Sequence, residues 1–174
     1  VEAAMIKSTP IAAFVALLTF LIAGIALADP GAPQSPQASV LVLDGLVKQP
    51  LQLAGADLLA LPVVRHEITF TGPRGEERAS YEGVLLWTLL DRAKLDDSGK
   101  RADLRHTMTI SGRDGYRIVL AIGEIDPDFG NKPAMIALRR NGEPLPPDEG
   151  LRLVVPGDKH GGRNVHNVIR ITVD

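Results

Sequence analysis

At 174 residues the chain has room for one domain with a sizeable core and little more. A formal charge of −2 leaves no basic footprint for nucleic acid, so no nucleic-acid partner is expected. Cysteine is absent, which excludes disulfides, thiolate nucleophiles and cysteine-ligated metals or clusters.

The N-terminal segment has the pattern of a targeting signal. Lys7 supplies a positive charge, Ile11–Ile25 is an apolar run, and Ala26-Leu27-Ala28 is a small-x-small cleavage site before Asp29. A run of about fifteen apolar residues is short for a membrane span, which needs roughly 20. Residues 1–28 are therefore expected to be a cleaved signal peptide whose translation starts at Met5, and the mature protein to be periplasmic or extracellular. Residues 29–38 are rich in Pro, Gln, Ser and Gly and read as a disordered leader. Residues 39–174 form the expected single domain.

Ser39–Asp44 reads as a strand ending at the Asp44-Gly45 turn. Val47–Leu53 reads as a short edge partner because it crosses Pro50. Ala56–Leu61 is one helical turn stopped by Pro62. In Val63–Thr71, alternation puts Val64, His66, Ile68 and Phe70 on one face. Gly72–Gly75 is a turn, and Glu76–Tyr81 returns as the second strand. The clearest helix is Val84–Lys94, with Leu85, Leu86, Leu89, Leu90 and Ala93 as its apolar stripe and Trp87 off centre. After a polar loop over Asp96–Ala102, Leu104–Ile110 and Tyr116–Ile122 flank the glycine-containing turn Ser111–Gly115. Gly123–Pro133 is irregular and acidic. Ala134–Leu138 is an apolar strand, Asn141-Gly142 a tight turn, and Pro144–Gly150 a loop. Leu151–Val155 and Asn167–Val173 close the chain as strands. Many short strands with two modest helices indicate an α+β domain of largely antiparallel pairing.

The loop between the last two strands holds Lys159, His160, Arg163 and His166 around Gly161-Gly162. Cations beside flexible glycines suit an anionic or heteroaromatic ligand, although such a loop taken alone is usually just a solvated hairpin. Arg152 interrupts an apolar strand and points opposite Leu151 and Leu153, either to solvent or to an anionic group. Of the four histidines, His66 and His106 fall in strands as structural or surface residues. His160 and His166 could converge, but no carboxylate stands at metal-ligand spacing and no metal site is expected. No serine has a nucleophile signature, so no catalytic residue is assigned. Asp126-Pro127-Asp128 and Asp148-Glu149 lie in turn-like sequence and read as solvated acids. Of Arg139 and Arg140, one is expected in solvent and the other partly buried.

Five ordered segments resemble the sulfite-oxidase-type molybdopterin-binding domain family. Tyr81–Leu90 is similar to its W-x-G-V-x-L-x-x-L-L helix, and Ser111–Tyr116 to its Asp-Gly-Tyr hairpin. Ile136–Pro146 is similar to L-A-x-x-x-N-G-x-P-L-P, and Gly150–Ile171 to G-x-P-x-R-x-V-V-P-G-x-x-G-x-R-x-V-K-W-L-x-x-I. Gly45–Pro50 with Asp57–Pro62 resembles the opening. The resemblance implies a mostly antiparallel sulfite-oxidase-like fold.

It also implies a pterin or molybdopterin-like ligand. Asp114, Arg152, Arg163 and the backbone of Asn164, Val165 and His166 match positions that hold the pterin and its phosphate, with His160 alongside and Tyr116 available for stacking. The departures are specific. The molybdenum-ligating cysteine belongs near Phe70-Thr71-Gly72, where there is none; a lysine is replaced by His166; and a histidine is replaced by Glu149. The resemblance reaches neither a carboxy-terminal dimerisation domain nor a haem domain. Molybdenum is therefore not expected. The chain is most similar to short exported members that bind a pterin and signal to membrane-bound enzymes of cyclic-di-GMP turnover. A periplasmic domain of such a protein is the expected partner, and a molybdopterin-dependent oxidoreductase, or a subunit of one, is the alternative.

Overall fold

The structure, a computed structural model, describes residues 40–72 and 75–174. The expected signal peptide and leader lie outside them, as does the middle of the Gly72–Gly75 turn. Among the described residues no helix is long and apolar enough to cross a membrane.

Two five-stranded sheets form the domain. In chain order the strands and helices are β1 (Leu41–Gly45), β2 (Leu51–Leu53), α1 (Gly55–Leu59), β3 (Val63–Gly72), β4 (Gly75–Leu85), α2 (Leu86–Ala93), β5 (Thr107–Gly112) and β6 (Arg117–Ala121). These are followed by α3 (Ile122–Ile125), β7 (Met135–Arg140), β8 (Glu143–Pro144), β9 (Arg152–Val154) and β10 (Val168–Val173). The first sheet runs β2-β1-β10-β5-β6. The second runs β3-β4-β7-β8, with β9 also paired to β7. Among the described strands only β1 and β10 pair in parallel; the other named pairs are antiparallel. Across that parallel pair Asp44 accepts from Arg170 and from Thr172. The α+β class and the antiparallel bias read from the sequence are those observed.

Alternation along the strands divides the apolar residues between two clusters. The main core joins Leu41, Leu43, Met108, Ile110 and Ile171 of the first sheet to Val84, Ile136 and Leu153 of the second, with α2 contributing Leu86, Leu89, Leu90 and Ala93. A smaller cluster holds Ile68, Phe70, Tyr81, Met135, Ala137 and Val154. Neighbouring strand residues thus face different clusters: Ile136 lies in the main core, Met135 and Ala137 in the small one. Arg152 sits two residues before Val154 and shares its side of β9. This arrangement positions the site.

Several boundaries differ from the sequence reading. The helix expected at Val84 begins at Leu86, because Gly83, Val84 and Leu85 pair with Ala137, Ile136 and Met135 and prolong β4. The Ala134 carbonyl accepts the Leu86 N–H at 2.9 Å and satisfies one of the donors exposed at the helix start. The strand expected from Leu104 begins at Thr107, since Ala102–Leu104 forms a 3-10 turn after Arg101. Gly123–Pro133, read as irregular, opens within the short helix α3. The edge strand contracts to Leu51–Leu53, and Val47 makes only an isolated bridge to Leu95. At β4 pairing with a distant strand overrides the local helix preference. The Asn141-Gly142 turn forms as expected, with both residues at positive φ (55° and 86°).

Gly83 sits where the β4–β7 register shifts. A Cβ there would collide with the Ile136 carbonyl oxygen and the Ala137 Cα, both backbone atoms that cannot swing aside. Gly83→Ala is expected to destabilise the domain by about 1–3 kcal/mol. Gly55→Ala, which meets nothing within 4 Å, is expected to stay within about 0.5 kcal/mol of wild type. Urea unfolding midpoints of the two variants check this.

Candidate functional site

Arg152 is only 4% exposed. Its guanidinium carbon lies 5.3 Å from the Tyr81 ring centroid and 5.7 Å from that of Phe70, within range of the attraction between a cation and an aromatic face. The rings come from β3 and β4 and the arginine from β9, so three strands of one sheet assemble the group. The nearest carboxylate is that of Glu149, whose Oε2 is 3.5 Å from Arg152 Nη1, at the outer limit of a hydrogen bond. Arg152 Nε is buried and has no hydrogen-bond partner. A buried charge with one long contact and one unmatched donor is incompletely compensated. Such a donor marks a place where an acceptor from outside the chain would improve the balance.

Glu149 also bonds Arg140, with Oε1 3.0 Å from Nη1. Burial works against the charge of Arg140, but Glu149, aided by Tyr81, more than offsets it and holds the pKa above the usual arginine value. Asp148 is exposed as expected. Glu149 is not a solvated loop acid, because it bridges two arginines. Asp126 is a second correction: it is buried and accepts the Asp128 N–H at 2.7 Å. Burial raises its pKa against that hydrogen bond, with Asp103 adding to the rise. Arg139 is exposed and Arg140 half-buried, as alternation required.

The loop after β9 is fastened at several points. Asn164 is buried, its Oδ1 accepting the Val155 N–H at 3.1 Å and its own N–H bonding the Gly161 carbonyl at 2.9 Å. Val165 buries its side chain in the main core and offers only backbone, its carbonyl already accepting from Leu153 at 2.8 Å. The Thr71 N–H donates to the Lys159 carbonyl at 2.9 Å, and His160 forms a parallel bridge with Thr71. The Phe70 ring lies where a side chain at Gly161 would go, which is why that position is glycine. From the other side, Tyr116 Oη donates to the Gly162 carbonyl at 2.6 Å.

Arg163 is held by the chain itself. Nε and Nη2 grip Asp158 in a bidentate pair at 2.7 and 2.6 Å, and Nη1 reaches Glu124 Oε2 at 3.2 Å. Asp158 first, and Glu124 after it, hold this guanidinium further above its usual pKa despite its partial burial. In return Arg163, assisted by Lys132 at 3.5 Å, pulls the Asp158 carboxyl below the ordinary range against the effect of burial.

His166 is exposed at the loop's end. Partial burial first, and then the charge of Arg152, lower its pKa, while Glu149, Asp114 and Glu77 act in the opposite sense. The charges of Arg152, Glu149, Asp114 and Glu77 are thus felt at His166. Asp114 itself shapes the β5–β6 turn, Oδ1 accepting the Tyr116 N–H at 3.0 Å. His160 lies against β3 instead, and among the described residues no three His, Asp or Glu side chains gather into a metal-binding group. Sequence reasoning missed Phe70, Tyr81 and Glu77 as site residues. The alternation that put Phe70 on the Ile68 face was visible, but the arginine it meets comes from 82 positions away. His106, expected within a strand, lies one residue before β5 as observed and bonds Asp97 Oδ2 at 2.8 Å.

Residues 30–174 match the family model described as the oxidoreductase molybdopterin binding domain. The chain belongs to that family. A curated relative, the NADPH nitrate reductase of Fusarium oxysporum, is 31% identical over 155 residues, which cover 75% of this chain and 17% of that protein. The crystal structure of the sulfane dehydrogenase SoxCD from Paracoccus pantotrophus superimposes with a TM-score of 0.65 at 25% identity, covering 82% of this chain and 39% of that one. The fold is therefore the sulfite-oxidase-like molybdopterin-binding fold, and the chain spans well under half the length of either relative it matches. The family implies a pterin-type cofactor. The uncompensated Arg152 donor fits the ring edge of a pterin, which carries nitrogen and carbonyl acceptors. No residue of this chain can supply a thiolate to a metal bound on it, because the chain has no cysteine. At the segment expected to carry that ligand, Thr71 instead hydrogen-bonds the glycine loop through its backbone.

The Arg163–Asp158 pair predicts a stability effect with a defined pH window. The folded-state pKa of Asp158 is depressed from 3.8. Its contribution is therefore fully present above that value and is lost as pH falls through the lower folded-state value. Asp158→Asn removes the effect: wild type should lose more of its melting temperature than the variant between about pH 5 and 3. Arg163→Ala should destabilise by about 1–3 kcal/mol, read from the same thermal melts at pH 7.

Proposed function

We propose that this domain binds a pterin and performs no oxo-transfer chemistry through a cysteine-ligated metal. The observation that carries the reading is Arg152, buried between Phe70 and Tyr81 with its Nε unmatched. A flat heteroaromatic ligand offers the acceptor that this donor lacks, and Tyr116, Asn164 and the Gly161-Gly162 backbone border the same loop. The missing thiolate supports a binding role over a catalytic one and a cofactor without molybdenum. The periplasmic location rests on Lys7, the Ile11–Ile25 run and the Ala26–Ala28 cleavage pattern. The relay of pterin occupancy to a membrane-bound enzyme of cyclic-di-GMP turnover rests on the resemblance to short exported family members alone.

Calorimetric titration with reduced pterins tests the binding. Wild type is expected to bind, and Arg152→Ala to weaken the complex by about 1–3 kcal/mol. Absence of binding in the high-micromolar range overturns the reading. Mass spectrometry of the exported protein should find Asp29 at its N-terminus.

A second reading, a molybdopterin-dependent oxidoreductase or a subunit of one, is favoured by the family and by the names of the relatives, a nitrate reductase and a sulfane dehydrogenase. In that case the metal would be held through the pterin alone. Elemental analysis of protein from molybdate-supplied cells separates the two readings: the binding role expects no stoichiometric molybdenum, and one metal per chain reverses the order.

A further inference from the structure

Three arginines, Arg140, Arg152 and Arg163, already meet carboxylates of the chain. Arg163 is held by Asp158 and Glu124. Arg140 and Arg152 share Glu149, which lies 3.0 Å from Nη1 of the first and 3.5 Å from Nη1 of the second. Glu149 stands at a seam: the Arg140 side chain is 34% exposed, that of Arg152 5%, and that of Glu149 20%. Its two oxygens therefore occupy the position from which an anion in solvent could bridge both guanidiniums. Carboxylate and phosphate oxygens are the same kind of charged acceptor for an arginine, so the two compete directly. Two further carboxylates, Asp114 and Glu77, act with Glu149 on the neighbouring His166. The donor Glu149 leaves unmatched is the buried Arg152 Nε, whose need for an acceptor a neutral ring nitrogen or carbonyl meets without adding charge.

We propose that Glu149 is a specificity-determining residue, a built-in counter-anion on Arg140 and Arg152 that lets the site accept an uncharged heteroaromatic ligand and turns away one carrying a phosphate. The choice of a pterin as that ligand rests on the reading above; the effect of Glu149 on anions does not.

Two measurements on the full chain test it. In the first, inorganic phosphate is titrated calorimetrically into wild type, Glu149→Gln and Asp148→Asn. The last makes the same charge change at the exposed neighbour. Glu149→Gln keeps the side-chain volume and an acceptor oxygen toward both arginines. It is expected to bind phosphate on the order of tenfold more tightly than wild type, with Asp148→Asn unchanged. Equal phosphate affinity in all three proteins overturns the proposal. The second measurement needs no variant and so does not depend on one folding. Reduced 6-hydroxymethylpterin is expected to bind wild type on the order of tenfold more tightly than its phosphate ester, whereas a tighter ester overturns the proposal. If wild type binds neither pterin while Glu149→Gln gains phosphate, the pterin reading falls and the role of Glu149 stands.

Discussion

A guanidinium buried in a strand is the constraint around which this domain is arranged. Removing the charge of Arg152 from water costs several kcal/mol in any protein interior, and it persists only where the surroundings answer it. Here the answer comes from two aromatic faces and one carboxylate at the edge of hydrogen-bond range. The carboxylate is local, three residues before the arginine, but neither ring is. Tyr81 reaches the arginine because β4 pairs with β7 and β7 with β9, with Tyr81 opposite Arg140 and Ala137 opposite Arg152. The register shift at Gly83 sets that alignment. Phe70 arrives through the β3–β4 hairpin, where it pairs with Glu77. The small cluster that surrounds the arginine is thus a product of sheet register, and any slip would reverse which side chains face it.

The glycine loop depends on the same group. Phe70 packs against Gly161 as well as facing Arg152, and the adjacent Thr71 holds the loop backbone at Lys159. Asn164 does inside the loop what a strand ladder does elsewhere, giving the Val155 N–H a buried acceptor just after β9. The loop is therefore shaped by the chain rather than waiting for a ligand to order it. Arg163, bound by Asp158 and Glu124, braces the loop.

Local pattern carried much of this into view. Two-residue alternation placed Ile68 and Phe70 together and turned Arg152 away from Leu151 and Leu153, because side-chain direction along a strand is set by the backbone alone. Asn141-Gly142 gave its turn for a similarly local reason, the tolerance of both residues for positive φ. The loop acids were illegible. Asp148 and Glu149 are neighbours of the same type in the same Pro-rich stretch, yet one is solvated and the other bridges two arginines. Asp126 likewise reads as a turn residue and lies buried, since nothing in its own segment reveals what folds over it.

By itself the sequence determined the fold class, the strand faces, the family to which the chain belongs and the absence of any thiolate. Each is a matter of residue identity, order or two-residue period, and each survives whatever the chain later packs against. Only the tertiary structure decided which charges remain uncompensated. Arg140, Arg152 and Arg163 are chemically alike in the sequence, and their different fates follow from which carboxylates the sheets and loops bring within about 3.5 Å, the range over which an ion pair is also a hydrogen bond. The partners lie as near as three residues (Glu149 and Arg152) and as far as 39 (Glu124 and Arg163), and spacing along the chain does not say how the folded loops orient their side chains.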